Sequence, residues 1–180
     1  MQKVVITGHD LTVDQIIAVC REGAEVVLSD ESREKILASR QVVNELVEER
    51  KVVYGITTGF GKFSDVVISQ DECKLLQKNL IITHAVGAGD PFKEDIARGI
   101  LLLRVNSLSN GFSGICLETV ETMIAMLNKG VTPFIPEKGS LGASGDLAPL
   151  SHMVLPMIGL GMAWYNGELL PGAEAMERAG

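Results

Sequence analysis

From Leu147 to Trp164 the chain carries no Asp, Glu, Lys or Arg, and a run of that length must be kept from water by lipid or by other protein. It reaches the lower limit for a membrane-spanning helix, but Pro149, Ser151, His152, Pro156, Gly159 and Gly161 interrupt it. The expectation is a helix buried in a large bundle, apolar all round because neighbours surround it, and not a membrane span. Composition agrees: hydrophobic residues make up 46% and aromatics 4%, the Val/Ile/Leu/Ala/Met-rich mix of packed helices. With 180 residues the chain can bury one sizeable core and is read as one domain over 1–180.

Local punctuation supports a mainly α fold with short strands near the start and around residues 163–170. Val4-Val5-Ile6 and Val26-Val27-Leu28 are β-branched runs that can pair around a first helix. That helix has a capping box, Thr12 with Gln15, and ends at Gly23. Asp30 opens a longer helix with Ile36, Leu37, Val43, Leu46 and Val47 as its apolar stripe. Residues 51–67 break the periodicity and read as a loop. Ser69 with Glu72 starts a helix that carries Leu75, Leu76, Leu80 and Ile81 inward and ends near Gly87. Asp90-Pro91 predicts a helix restart. Ser113 predicts a cap for the helix of Leu117, Val120, Ile124 and Leu127, which Gly130 ends. Pro133 and Pro136 hold an extended connector, Asp146 is a candidate N-cap for the apolar helix, and Asn166-Gly167 is a hairpin turn.

Charge and cysteine usage remove several function classes. A formal net charge of −7 argues against nucleic-acid binding, which needs clustered Lys and Arg. Cys20, Cys73 and Cys116 are odd in number and far apart, so neither a disulfide framework nor a zinc site is indicated. They read as buried thiols in a reducing, cytoplasmic setting, and the first residues lack the apolar core of a signal peptide. Neither His9 nor His152 has a partner at metal-ligand spacing, so no metal is assigned.

The run from Gly139 to Leu150 carries the chemistry. Its centre, Ala143-Ser144-Gly145, can build an electrophile from its own backbone. The amide nitrogen of Gly145 attacks the carbonyl carbon of Ala143 and closes a five-membered ring, expelling the carbonyl oxygen as a first water. Glycine reaches that strained conformation at least cost, and a small residue before it leaves room. Loss of the Ser144 hydroxyl with a proton then leaves a methylidene-imidazolone (MIO). The competing phosphate-cradle reading fails, because the Gly-Lys-Ser/Thr end of a P-loop is missing and no strand leads into a dinucleotide fingerprint. By itself the tripeptide also fits a flexible glycine turn. The flanks decide for the ring.

The nineteen residues Ile135–Met153 resemble the signature of the aromatic amino acid ammonia-lyase family, in its histidine-type branch. Tyr54–Gly61 resembles that family's loop with the catalytic tyrosine, and Gln77–Gly87 its substrate-selecting helix end. Leu103–Leu108, Gly111–Gly114, Tyr165–Glu168 and Ala173–Gly180 continue the likeness to the last residue. Family members run several hundred residues longer, so the chain looks like an N-terminal portion of one.

The resemblance implies a mainly helical, homotetrameric fold with sites assembled from several subunits. It implies elimination of ammonia from L-histidine to give urocanate, through MIO formed from Ala143, Ser144 and Gly145, with no external cofactor. Tyr54 would remove the β-proton of the substrate. Read without the family it is an ordinary half-buried tyrosine, and tyrosine is a poor base near neutral pH. Its loop includes Gly61 as possible support and Lys62 as a possible source of positive charge. Thr83-His84 falls where histidine-type members carry Ser-His, so His84 would contact the substrate imidazole; a satisfied helix-end histidine is the plainer reading. Asp146 is either a helix cap or a carboxylate that assists proton transfer beside the ring. Further site residues are expected beyond Gly180. A catalytically silent fragment and an MIO-dependent aminomutase are the alternative functions.

Overall fold

The computed structural model describes residues 2–58 and 70–180, without the side chains of 70–74. At the start, β1 (Lys3–Ile6) and β2 (Glu25–Leu28) lie parallel on either side of α1 (Val13–Arg21) in sequence, with Lys3 opposite Glu25 and Ile6 opposite Leu28. Alternate residues Val4, Ile6, Val26 and Leu28 are buried, as period-two strands on a core require. The capping box forms in full: the Gln15 amide donates to Thr12 Oγ1 at 3.3 Å, and the Thr12 amide donates to Gln15 Oε1 at 2.9 Å. Gly23 takes the left-handed conformation after the helix, φ +72.

The helix α2 (Asp30–Glu48) begins where Asp30 placed it, and its stripe is narrower than expected. Ile36 is 1% exposed, but neighbouring Leu37 is 49% exposed. Only the face turned toward α5 (Leu117–Lys129) is covered, and Leu37 lies about 100° around the helix from Ile36.

The core sits between α4 (Glu94–Leu108), α5, α1 and β2. Leu101, Leu102 and Val105 of α4 meet Val120, Met123 and Leu127 of α5 in it. The Asn128 amide grips both backbone groups of Val26, at 2.8 and 2.9 Å, and covers the open side of β2. Arg98 donates to the carbonyls of Val19 and Leu127. Cys20 and Cys116 are half-buried free thiols, less enclosed than expected, and burial pushes the Cys20 thiol up.

Two start signals are overruled by long-range contacts. Asp90-Pro91 belongs to β3 (Ala88–Pro91), antiparallel to β5 (Pro136–Lys138), and α4 starts at Glu94 with Lys93 as its cap. The Phe92 amide extends that pairing by donating to the Ile135 carbonyl at 2.9 Å. Likewise α5 is capped by Cys116, not Ser113. The 113–114 segment is held by α2, where the Gly114 amide donates to Ser39 Oγ at 2.9 Å and Arg40 donates to the Gly114 carbonyl at 3.3 Å.

The helix α3 (Gln70–His84) stops at His84, short of Gly87. Leu75 is 58% exposed, while Leu76, Leu80 and Ile81 are half-buried, because α6 (Leu147–Val154) and the turn after it cover only one side. The Ser69–Glu72 capping box, Gly61, Lys62 and the Cys73 side chain lie outside the described residues.

The uncharged run is not one buried helix. It divides into α6, a 3₁₀ turn over Leu155–Ile158 with Pro156 in its first turn, and β6 (Met162–Tyr165). Pro156 and the left-handed Gly159 and Gly161 end helical geometry, and Leu147 is more than half exposed. No helix among the described residues is long and apolar enough to cross a membrane. The strand β6 lies between β4 (Thr132–Pro133) and β7 (Glu168–Pro171), with α7 (Gly172–Ala179) after it. Asn166 and Gly167, φ +51 and +80, make the two-residue turn that joins β6 and β7, as such a dipeptide should.

Candidate active site

Residues 141–146 form an exposed turn between β5 and α6. Ala143 and Ser144 are exposed, and Gly145 is left-handed at φ +75. A Cβ at Gly145 would lie 2.9 Å from Ser140 Oγ, which would have to turn away, and the left-handed φ calls for glycine there. Gly142 is also left-handed, φ +90, with open space around it. Two small residues followed by the left-handed Gly145 in an accessible turn fit the requirements of ring closure. Asp146 takes the cap position of α6 with helical dihedrals, φ −109 and ψ −7, and its side chain makes no capping bond. The cap expected from its residue type is therefore not formed.

At the end of α3, Thr83 Oγ1 donates to the Leu80 carbonyl at 3.1 Å, and His84 Nδ1 lies 2.8 Å from the same oxygen. A carbonyl only accepts, so Nδ1 carries a proton, and the tautomer with that proton alone presents Nε2 as an acceptor. The half-buried imidazole thus has a defined tautomer when neutral.

Three contacts bring this helix end beside the 141–146 turn. The Gly87 amide donates to His152 Nε2 of α6 at 2.9 Å. Ala88 of β3 pairs with Lys138 of β5. Gly139 packs so close that a Cβ on it would meet Gly87 Cα at 3.1 Å and the Ala148 methyl at 3.3 Å. Burial pushes the His152 imidazole below its usual value, which favours the neutral, accepting ring. From the sequence His152 is a polar interruption of the uncharged run without a metal-ligand partner, and its bond to Gly87 is not foreseen. The signal it carried was that of a polar ring in an uncharged run, which needs a partner once buried.

Tyr54 is 62% exposed on the turn at 51–58. Thr57 and Thr58 brace that turn: Thr57 Oγ1 accepts from the Val53 amide at 2.9 Å and donates to the Lys51 carbonyl, and Thr58 Oγ1 accepts from the Gly55 amide at 3.3 Å. The next residues, Gly55 and Ile56, line an open cavity of about 1260 Å³ shared with Lys78, Ile81, Leu147 and Ser151. The turn carrying Tyr54 therefore borders the same space as the start of α6. His84 stands at the far end of α3 from its first turn, beside Gly87.

The sequence profile of the aromatic amino acid lyases matches residues 11–180, and the chain belongs to that family. Over all 180 residues it is 61% identical to the histidine ammonia-lyase of Caldanaerobacter subterraneus subsp. tengcongensis, covering 35% of that protein. Its fold matches the crystal structure of histidine ammonia-lyase from Trypanosoma cruzi with a TM-score of 0.91 at 38% identity, over 99% of this chain and 35% of that one. The ergothionase of Treponema denticola, an ergothioneine-degrading enzyme, also matches with a TM-score of 0.91, at 30% identity over 99% of this chain and 36% of that one. The chain thus spans about a third of the length of these proteins.

Proposed function

We propose that the complete protein is a histidine ammonia-lyase that converts L-histidine to urocanate and ammonia. The observation that carries this reading is the exposed Ala143-Ser144-Gly145 turn, with its left-handed glycine, beside a helix that ends in Thr83-His84. Ala143, Ser144 and Gly145 would hold MIO, which supplies a carbon electrophile at the substrate amine. Tyr54 Oη takes the β-proton, the Cα–Cβ double bond forms, and the amine leaves as ammonia. His84 Nε2 accepts a hydrogen bond from the substrate imidazole. A site built around that acceptor disfavours phenylalanine and tyrosine, which leave it unpaired. Asp146 sits next to the ring-forming residues and can exchange protons there. The complete protein acts as a cytoplasmic homotetramer on a small amino acid, without nucleic acid, membrane, metal or external cofactor. Activity is assigned to the complete protein and not to these 180 residues alone.

The test is Ser144→Ala in the complete polypeptide. The parent should show a loss of two waters mapped to residues 143–145 and a rise in urocanate absorbance with histidine. The variant should keep its full mass and lose ~10³-fold or more of the rate, the scale expected when a reacting group is removed. A parent of unmodified mass, or a variant with near-parental activity, overturns the reading. A product without conjugated absorbance would instead indicate an aminomutase.

A further inference from the structure

We propose that His152 is a positioning residue: by accepting the Gly87 amide proton it fixes where the end of α3, and with it His84, stands relative to the Ala143–Gly145 turn. The inference rests on the reading of His84 as a substrate contact.

The bond joins two rigid pieces. His152 sits on α6, the helix that begins directly after the 141–146 turn, so its ring moves with that turn. Gly87 lies three residues past His84, and the Val86 amide donates to the His84 carbonyl at 2.9 Å, which keeps the intervening chain tight. A displacement of Gly87 is therefore passed to His84. The 2.9 Å bond from the Gly87 amide to Nε2 spans elements 65 residues apart in sequence.

The site has little slack. A Cβ at Gly87 would lie 3.0 Å from His152 Nε2 and 3.1 Å from Pro136 Cβ, so the ring rests against bare backbone. An imidazole is also a poor choice for mere packing in a run with no charged residue. Its acceptor must be desolvated, and the loss is offset only where a donor meets it. That donor is Gly87. A bond that sets His84, a substrate contact, therefore acts on substrate binding without touching substrate itself.

The test compares His152→Leu, His152→Asn and His152→Gln in the complete polypeptide. Leucine removes the acceptor, asparagine is too short to reach Gly87, and glutamine places Oε1 near where Nε2 sits. The leucine and asparagine variants should raise KM for L-histidine about tenfold while kcat falls less than about threefold, the pattern of lost binding without lost chemistry. Their dehydration at residues 143–145 should stay complete, and amide hydrogen exchange in the peptide containing Gly87 should accelerate. Glutamine should bring KM to within about threefold of the parent and slow that exchange again. If the leucine variant does not fold, the asparagine and glutamine pair decides. A glutamine variant no better than asparagine overturns the proposal. So does an unchanged KM with lost dehydration, which would make His152 a support for the turn alone. A parent that releases no urocanate would defeat the functional reading instead. Exchange at Gly87 then decides the tie, with unequal asparagine and glutamine variants supporting it and equal ones refuting it.

Discussion

His152 is enclosed enough that burial holds its imidazole below the usual histidine value, and this makes a residue-scale prediction about acid. The unfolded chain takes up its proton near pH 6.5, while the folded chain resists until a lower pH. The contribution is therefore intact above about pH 6.5 and is lost as pH falls from there through the folded-state value. Protonated Nε2 cannot accept from Gly87, so the same fall in pH removes the tie to α3. Denaturant midpoints measured down through this window should drop in the parent, and the drop should be smaller in His152→Gln, which has nothing to titrate. Equal slopes for the two proteins would show that the ring is not held neutral by the fold. Gly145 shows the other residue-scale constraint, since its left-handed φ makes any side chain there strained.

At the scale of elements, β1 and β2 make only a two-stranded sheet, which is marginal on its own. Asn128 of α5 stands in for a third strand by pairing with the amide and the carbonyl of Val26. Asn128→Leu leaves both groups unpaired in a partly buried place and should destabilise by about 2–6 kcal/mol, from roughly 1–3 for each orphaned group. Chemical denaturation checks this, and a change within about 0.5 kcal/mol would mean that water replaces the amide. The same contrast between local and distant bonds explains what the sequence made legible. The Thr12–Gln15 box, the Gly130 stop and the Asn166-Gly167 turn are satisfied within a few residues, so their residue types announced them. Asp90-Pro91 and Ser113 were equally good local signals, and pairing with β5 and the grip of Ser39 and Arg40 overrode them. The candidate site divides along the same line. The proposed ring chemistry would draw on three adjacent residues, whereas the bond between Gly87 and His152 is invisible until the chain folds.

Over the whole molecule, a dense core around α4 and α5 adjoins an open side where α3, α6 and the turn at 51–58 border a cavity of about 1260 Å³. Phe112 is 91% exposed and Leu141 85% exposed, and Leu75, Val86 and Leu147 are also more than half exposed. Ile82 is 42% exposed, and Leu75, Ile82, Val86, Leu141 and Leu147 lie on or beside α3 and α6 in sequence. Two forces then compete when the 180-residue chain is purified alone. Burial of these side chains favours association, at about 25 cal/mol per Å² of apolar area, and the net charge of −7 opposes it. Salt separates them, because it screens the repulsion within about 10 Å at 0.1 M and leaves apolar burial intact. Sedimentation should therefore show mass rising with protein concentration and rising further with added salt. Association that weakens with salt would mean that charged groups hold the copies together, and a salt-independent monomer would mean that the open side is satisfied within one chain. In either case the apolar side chains around α3 and α6 would not be the adhesive surface that their exposure implies.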